Sequence, residues 1–183
     1  MEINKGIIIE KAGKIIDHFG TEALTVETLV QELNVSANEL SHLIQKDEDI
    51  FLMLFHELEK ELNQLVDEFA HKDLPPDIRL HGLFKRLYVL FKLKPYYLSI
   101  VFDDNLMVRD DRIEKSFSRI RNIAEIYLSQ LIDEGKRVST FKTKQSTRSL
   151  VEGILSSFRL LMMDEQLINA MIRKLVALGL EKD

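Results

Sequence analysis

Cysteine is absent from the 183-residue sequence, and proline and glycine are scarce, with three and seven residues. Without cysteine the chain has neither a disulfide framework nor a thiolate for catalysis. The few helix-breaking residues, and the absence of any long stretch with the two-residue period of strands, indicate a helical protein. No apolar run approaches the roughly 20 residues of a membrane-spanning helix, and the N-terminus has no signal-peptide pattern. We therefore predict an all-α, cytoplasmic protein.

The sequence also lacks the motifs of common enzyme sites. It contains no G-x-S-x-G, G-x-G-x-x-G or P-loop pattern, and His56-Glu57 is not followed by the second histidine of an H-E-x-x-H zinc motif. The paired acids Asp103-Asp104 and Asp110-Asp111 suit solvated or capping roles in a loop. We predict no catalytic residue, no metal ligand and no cofactor.

The segment Thr25–Ile50 has the pattern of two short helices joined by a tight turn. Thr25 is placed to cap the first helix, and Asn34 ends it because asparagine tolerates the left-handed conformation. Ser36 and Glu39 form an S-x-x-E capping box that starts the second helix. The buried faces are formed by Val26, Leu29, Leu33, Leu40, Leu43 and Ile44. This pattern predicts a helix-turn-helix, whose second helix can enter the major groove of DNA.

Residues 8–50 resemble, without a gap, the N-terminal domain of the tetracycline-repressor (TetR) family. Gly20 falls on the glycine that ends the first helix of that family, and Thr25-Val26 and Val35-Ser36 match its Thr-Val and Val-Ser pairs. The apolar core positions of the family are occupied by Ile8, Ile9, Ala12, Ile15, Ile16, Leu29, Leu40 and Ile44. The resemblance implies a homodimer that binds operator DNA and releases it when a small ligand occupies the C-terminal domain.

The DNA surface implied by this resemblance consists of Thr25, Ser36, Ala37, Asn38, Ser41, His42 and Lys46. Asn38 and His42 are the predicted base readers, because amide and imidazole groups can hydrogen-bond to base edges. Some positions depart from the family pattern: Ala37 replaces a Lys or Arg, Ser41 replaces a phosphate-contacting Tyr, and Asp47 replaces a Lys.

Negative charge is concentrated at the same end of the chain. The first 50 residues contain four lysines and ten acidic residues, a net charge of −6 against −5 for the whole chain. We call residues 1–50 the head. Because Lys and Arg contacts to phosphate supply most non-specific DNA affinity, a head with this net charge is expected to bind DNA weakly. Two hypotheses remain open: a dimeric DNA-binding regulator, or a ligand-binding or protein-interaction module that has lost DNA binding and presents its acidic head to a basic protein.

Helical periodicity continues beyond the helix-turn-helix. Asp47 is placed to cap a long fourth helix, Pro76 lies in the first turn of a fifth, and Gly135 ends a seventh. The polar segment 136–146 is predicted to be a surface loop with Phe141 as its anchor.

The last two helices, at residues 147–163 and 164–180, carry the apolar stripes that we assign to a dimer interface. The stripes consist of Leu150, Ile154, Phe158, Leu161, Leu167, Ile168, Met171, Leu175 and Leu178. Gly153, Ser156 and Ser157 would permit close approach of the helices. The alternative is that the stripes complete the core of a monomer.

Aromatic and methionine side chains on helices five to eight predict a ligand pocket. They are Phe84, Tyr88, Phe91, Tyr97, Phe102, Met107, Phe117, Tyr127, Phe158 and Met162. By the TetR resemblance they enclose a site for a small apolar molecule, and the alternative is ordinary core packing. The predicted architecture has about nine helices, with a helix-turn-helix domain at residues 1–46 and a ligand-binding and dimerisation domain at residues 47–183.

Overall fold

A computed structural model describes residues 3–177. Over this range the chain forms eleven α-helices and one 3₁₀ helix and no strand, which confirms the all-α prediction and exceeds the predicted number of helices. The chain divides into two compact units. Unit 1 comprises the chain up to Glu61 together with Lys94–Ile120, and unit 2 comprises Leu62–Leu93 and the chain from Arg121 onward. The predicted domain boundary at residue 46 stays a prediction.

No helix among the described residues combines the length and the apolar character needed to cross a membrane. Two helices, α4 (Asp47–Ala70) and α8 (Asp111–Arg137), contribute residues to both units. The other elements of unit 1 are α1 (Lys5–Phe19), a 3₁₀ helix (Thr21–Ala23), α2 (Val26–Leu33), α3 (Ala37–Leu40), α6 (Tyr96–Val101) and α7 (Asp104–Met107).

The first helix of the helix-turn-helix, α2, begins and ends as the sequence predicts. Thr25 Oγ accepts a hydrogen bond from the amide of Thr28 at 3.1 Å. Asn34 ends the helix with φ 53° and ψ 51°, in the left-handed region. Local side-chain chemistry therefore determines both ends of α2.

The second helix, α3, starts with the predicted capping box. The Ser36 amide donates to Glu39 Oε2 at 2.8 Å, and the Glu39 amide donates to Ser36 Oγ at 3.4 Å. Leu40 and Ile44 are buried as predicted, whereas Leu43 is only half-buried. The regular α-helix ends at Leu40, and a hydrogen-bonded turn follows it.

Asp47 stabilises the helix-turn-helix in a way that differs from the prediction. Its Oδ1 accepts the amide of Val26 at 2.7 Å, so this carboxylate satisfies the first turn of α2. At the N-terminus of α4, Asp49 Oδ2 accepts the amides of Gln45 and Lys46 at 3.0 and 3.2 Å. The first residues of α4 are thereby hydrogen-bonded both to the start of α2 and to the two residues that precede α4.

Helix α1 packs closely on α6 in unit 1. A Cβ atom at Gly13 would overlap Cε1 of the Tyr96 ring, so only glycine permits this approach. The Tyr96 ring lies 4.6 Å from the ring of Tyr97, measured between centroids. Tyr97 is fully buried and donates its hydroxyl to Glu61 Oε1 at 3.2 Å. Burial is the main reason that the pKa of Tyr96 is raised to about 12.

Unit 2 combines the C-terminal parts of α4 and α8 with α5 (Pro76–Leu93), α9 (Thr147–Ser156), α10 (Phe158–Met163) and α11 (Glu165–Ala177). Pro76 is the first residue of α5, as predicted. The predicted helix 147–163 is interrupted at Ser157, which separates α9 from α10. Leu178, assigned to the dimer stripe, lies outside the described residues, as does the predicted end of the last helix.

Gly135 does not end α8, contrary to the prediction, since the helix continues to Arg137. The glycine is required for a different reason. Phe141 is buried, as the predicted anchor of the loop, and its ring occupies the space that a Cβ of residue 135 would need. The loop after α8 therefore folds back on the helix, and its Phe141 ring packs on the surface that Gly135 leaves open.

Two glycine substitutions test this description of the packing. Gly13→Ala should lower the free energy of unfolding by about 1–3 kcal/mol, because its Cβ collides with the buried Tyr96. The matched change Gly6→Ala in the same helix should change it by less than about 1 kcal/mol, because its Cβ approaches only the Asn4 side-chain oxygen, at 3.2 Å. Urea unfolding of both variants measures the difference. Equal effects would contradict the described contact between α1 and α6.

Candidate DNA interface and ligand-binding residues

The predicted DNA-contacting residues lie in unit 1, between the start of α2 and the start of α4. Ser36, Ala37, Asn38, Ser41, His42 and Lys46 are exposed, and Thr25 is half-buried at the start of α2. Part of this polar surface is used internally: Ser36 caps α3, and Ser41 Oγ donates to the carbonyl oxygen of Asn38 at 2.8 Å. Their assignment as DNA contacts stays a prediction.

Asn38 and His42 differ from these neighbours. Their side chains make no hydrogen bond within residues 3–177, and both are exposed on α3 and the turn that follows it. An unbonded amide and imidazole on an exposed helical turn can donate to and accept from an external partner. His42 also lines a groove of about 400 Å³ between α1, the turn after α3 and α4.

Lys46, the only lysine or arginine among the predicted contacts, is held by an acid from elsewhere in the chain. Its Nζ lies 2.8 Å from Asp110 Oδ2 and 3.8 Å from Glu48 Oε2. Arg112 joins the same group, with Nη2 at 2.9 Å from Asp110 Oδ2 and 3.1 Å from Asp49 Oδ1. We call Lys46, Asp49, Asp110 and Arg112 the charge network.

The charge network stays ionised at neutral pH. Hydrogen bonds from Arg112, and then the one from Lys46, hold the pKa of Asp110 well below its ordinary value. Because this pKa is lowered on folding, the stabilisation is present above the ordinary carboxyl pKa and is lost only as the pH falls through the lower, folded value. The network is therefore not a switch in the neutral range.

Other acids of the first 50 residues are also engaged. Glu10 pairs with Lys14 at 2.6 Å, Glu32 with Lys11 at 3.7 Å, and Glu39 belongs to the capping box. Hydrogen bonds from the Ser36 amide and hydroxyl lower the pKa of the Glu39 carboxyl. Much of the negative charge of this region thus satisfies backbone amides or neutralises lysines.

Arg109 and Arg112 are residues that the sequence analysis missed. Arg109 Nη2 lies 2.6 Å from Glu22 Oε2, and Arg112 belongs to the charge network. Both come from the α7–α8 region and pair with acids that are more than 60 residues away in the sequence. No local pattern could have identified them, because the pairs exist only in the folded chain.

Six of the ten predicted ligand-binding residues lie in unit 2. Phe84, Phe91, Tyr127 and Met162 are buried there, while Tyr88 and Phe158 are half-buried. The Phe158 ring contacts two of the others edge-on, with centroids 6.4 Å from Phe84 and 5.4 Å from Phe91. The structure therefore forms an aromatic cluster from residues of α5 and α10.

The remaining four residues belong to unit 1 and are Tyr97, Phe102, Met107 and Phe117. Tyr97 is fully buried, and its hydroxyl is hydrogen-bonded to Glu61. Lys94 also pairs with Glu61, and its Nζ lies 5.5 Å from the centre of the Tyr97 ring. These contacts favour a structural role for Tyr97, and the assignment of the other three to a ligand stays a prediction.

Several residues that the sequence analysis assigned to the dimer interface are buried in the core of unit 2 instead. Leu150, Ile154, Leu161, Ile168 and Leu175 are buried within unit 2 itself. Exposed apolar surface is instead presented by Leu160, Met163 and Leu167, which are 59, 62 and 42% exposed. Beside them, a groove of about 340 Å³ is lined by residues of α9, α10 and α11, including Gly153.

The sequence of a known bacterial protein is related to this chain. The uncharacterized HTH-type transcriptional regulator YhgD of Bacillus subtilis (strain 168) is 24% identical over 140 residues, which cover 75% of this chain and 72% of YhgD. No family model matches the sequence.

Solved structures resemble the whole chain. The TetR family transcriptional regulator PfmR from Thermus thermophilus superimposes over 100% of both chains, with a TM-score of 0.81 and 18% identity. The transcriptional regulator FadR from Bacillus subtilis, in complex with stearoyl-CoA, covers 95% of this chain and 98% of its own, with a TM-score of 0.75 and 18% identity. The chain has the TetR-family fold. This fold confirms the resemblance of residues 8–50 and extends it over the whole chain.

The charge network within this TetR-family fold generates a prediction about DNA affinity. Asp110→Asn should release Lys46 for phosphate contact, so log K for random duplex DNA should fall more steeply with log salt, by about one unit of slope. Fluorescence anisotropy at several salt concentrations measures this slope.

The control for this variant is Asp111→Asn, which changes the net charge equally. Asp111 is exposed at the start of α8 and makes no ion pair within the described part of the chain. Identical slopes for the two variants would show that general charge, and not the release of Lys46, changes the affinity.

Proposed function

We propose that this protein is a dimeric transcriptional regulator that binds operator DNA and whose affinity for DNA is controlled by a small apolar ligand. The observation that carries the proposal is a capped helix-turn-helix with unbonded, exposed Asn38 and His42, on a chain with the TetR-family fold throughout. The similarity to the regulator YhgD supports the same class of function.

In the proposed complex, α3 and the turn after it enter the major groove. The Asn38 amide can make a paired hydrogen bond to adenine, and the His42 ring can donate to a guanine acceptor. Ser36 and Ser41 lie beside them, and each would have to exchange an internal hydrogen bond, to Glu39 and to the Asn38 carbonyl oxygen, in order to donate to phosphate. A two-fold dimer would place two such helices about one DNA turn apart, roughly 34 Å, and so read a palindromic site.

The ionic contribution to binding is small in this proposal. Lys46 is already paired with Asp110, and Lys11 and Lys14 are paired with glutamates. Each contact to phosphate would therefore have to compete with an existing ion pair. We infer that specificity rests on base contacts and on the two heads of a dimer, and that non-specific affinity is low.

The proposed dimer uses the exposed face of α9–α11. Leu160, Met163 and Leu167 form an apolar rim beside the groove on this face. The open space at Gly153 leaves room for a helix of a second copy. Burying this face against its symmetric counterpart would remove apolar surface from water, which is the main driving force for association.

The proposed ligand site is the aromatic cluster of unit 2. Phe84, Phe91 and Phe158 supply apolar surface, and FadR, which shares the fold, was solved with stearoyl-CoA. A ligand with a long apolar part suits such a lining. Since α4 and α8 run through both units, a ligand that binds one arrangement of unit 2 more tightly can shift the population of arrangements of unit 1.

A second candidate function is a protein-interaction module that does not bind DNA. The observation in its favour is the acidic composition of residues 1–50 together with the pairing of Lys46. In that case the head would contact a basic surface of another protein. The two functions differ in whether Asn38 and His42 are needed.

The first test is DNA binding by fluorescence anisotropy with the upstream region of the protein's own gene and with random duplex. We expect specific binding to the upstream region at low salt. Asn38→Ala and His42→Ala should each weaken it by about 1–3 kcal/mol, because a base contact is lost, while random-duplex affinity changes little. Absence of binding by a folded dimer at low salt would rule out the regulator and favour the interaction module.

A second test concerns the dimer. Leu160→Glu places a charge on the proposed interface and should give a monomer in sedimentation experiments at micromolar concentration, because an unpaired charge would be desolvated. The matched control is Leu93→Glu, since Leu93 is 76% exposed at the end of α5 in the same unit. The control should remain a dimer. A dimeric Leu160→Glu variant would exclude this face as the interface.

A further inference from the structure

A polar group with two buried members lies in unit 2. It consists of the buried Arg79 on α5 and Tyr127 on α8, together with Glu134 on α8, whose side chain is 37% exposed. Arg79 is 8% exposed, which is unusual for an arginine, and Tyr127 is 6% exposed. Glu134 Oε2 pairs with Arg79 Nη2, so the buried guanidinium is neutralised.

Two hydrogen-bond donors of this group have no partner. Arg79 Nε and the Tyr127 hydroxyl are both inaccessible to solvent and make no hydrogen bond. A buried donor without a partner is unfavourable, because it has lost its hydrogen bonds to water and gained none in the protein. The group is therefore short of acceptors, and its net charge is already balanced by Glu134.

The protonation of Tyr127 is compatible with a donor role. Burial raises the pKa of its hydroxyl, while the nearby positive charge of Arg79 acts in the opposite direction. The hydroxyl therefore carries its proton at neutral pH. Arginine is always protonated, so Nε is a donor as well.

Buried leucines share the helix faces that carry these donors. Leu83 follows Arg79 by one helical turn on α5, and Leu131 lies between Tyr127 and Glu134 on α8. Both leucines are buried. A hydrogen bond to a buried donor is stronger than one in water, and burying an anion beside an arginine that Glu134 already neutralises would be unfavourable.

We propose that Arg79 and Tyr127 form the polar end of the ligand site and bind a carbonyl oxygen of an otherwise apolar ligand. A carbonyl oxygen has two lone pairs, accepts from both donors and adds no charge. This assignment rests on the proposed function and defines its ligand more closely: an apolar molecule with an uncharged ketone, ester or thioester group. It also gives Arg79, which the sequence pattern did not single out, a role in specificity.

The experiment uses the full-length protein and two probes. N-phenyl-1-naphthylamine is a fluorescent apolar molecule without a carbonyl, and 2-decanone is an apolar ketone that should displace it. Tyr127→Phe removes one donor without changing the size of the ring. We expect it to bind the fluorescent probe like the wild type and to require about fivefold to tenfold more 2-decanone for displacement, the effect of one lost hydrogen bond.

Arg79→Lys provides a second variant, since it keeps the charge beside Glu134 and removes the Nε donor. Like Tyr127→Phe, it should require more 2-decanone than the wild type to displace the fluorescent probe. Tyr96→Phe is the control, because it removes a hydroxyl from a buried tyrosine of unit 1. It should behave like the wild type in both measurements.

The melting temperature without ligand separates this inference from a structural role of the hydroxyl. Tyr127→Phe should melt at the same temperature as the wild type or higher, because it removes an unsatisfied donor. A lower melting temperature would show that the hydroxyl already has a partner, such as a buried water, and would overturn the inference.

The displacement data have two further outcomes. Equal displacement by 2-decanone in the wild type, Tyr127→Phe and Arg79→Lys would overturn the carbonyl site while leaving the proposed apolar ligand site intact. If neither probe binds the wild type, the ligand site of the proposed function fails, and the carbonyl site fails with it.

Discussion

Two carboxylates, Asp49 and Asp110, hold the helix-turn-helix in its place within unit 1. Asp49 accepts two backbone amides at the start of α4 and pairs with Arg112, and Asp110 pairs with both Arg112 and Lys46. The end of the helix-turn-helix is therefore bonded to the start of α8. Any movement of the start of α8 relative to the helix-turn-helix would have to stretch or exchange these ion pairs.

The same network changes the meaning of the acidic composition. Counted along the sequence, the acids of residues 1–50 should repel DNA. In the fold, Asp47 and Asp49 satisfy backbone amides, Glu39 completes a capping box, and Glu10 and Glu32 neutralise lysines. Their charge stabilises the head itself. Few lysines of residues 1–50 therefore remain available to phosphate, and the proposed DNA binding would rest on base contacts more than on general electrostatic attraction.

The interior of unit 2 is stabilised mainly by apolar and aromatic packing. The polar group of Arg79, Tyr127 and Glu134 is set into this packing. The aromatic contacts around Phe158 require only close packing. Arg79 and Tyr127 instead leave donors unpaired in a setting where an unpaired donor is costly. The proposed carbonyl ligand would supply the missing acceptor, and it would therefore gain more than a ligand that only fills space.

Local chemistry sufficed to predict the helix-turn-helix and the helical class. The caps at Thr25, Asn34 and Ser36 act over three or four residues, so their residue types specify the structure directly. Features that depend on tertiary contacts were not predictable: the Phe141 ring packs against Gly135 inside α8, and Lys46 meets Asp110 across 64 residues. The sequence assigned Tyr97 and Tyr127 to a ligand pocket, with core packing as the alternative. It could not show that Glu61 accepts a hydrogen bond from the Tyr97 hydroxyl while the Tyr127 hydroxyl has no partner. Burial is encoded by the pattern of one helix, whereas the partner of a buried or charged group is set by which helices the fold brings together.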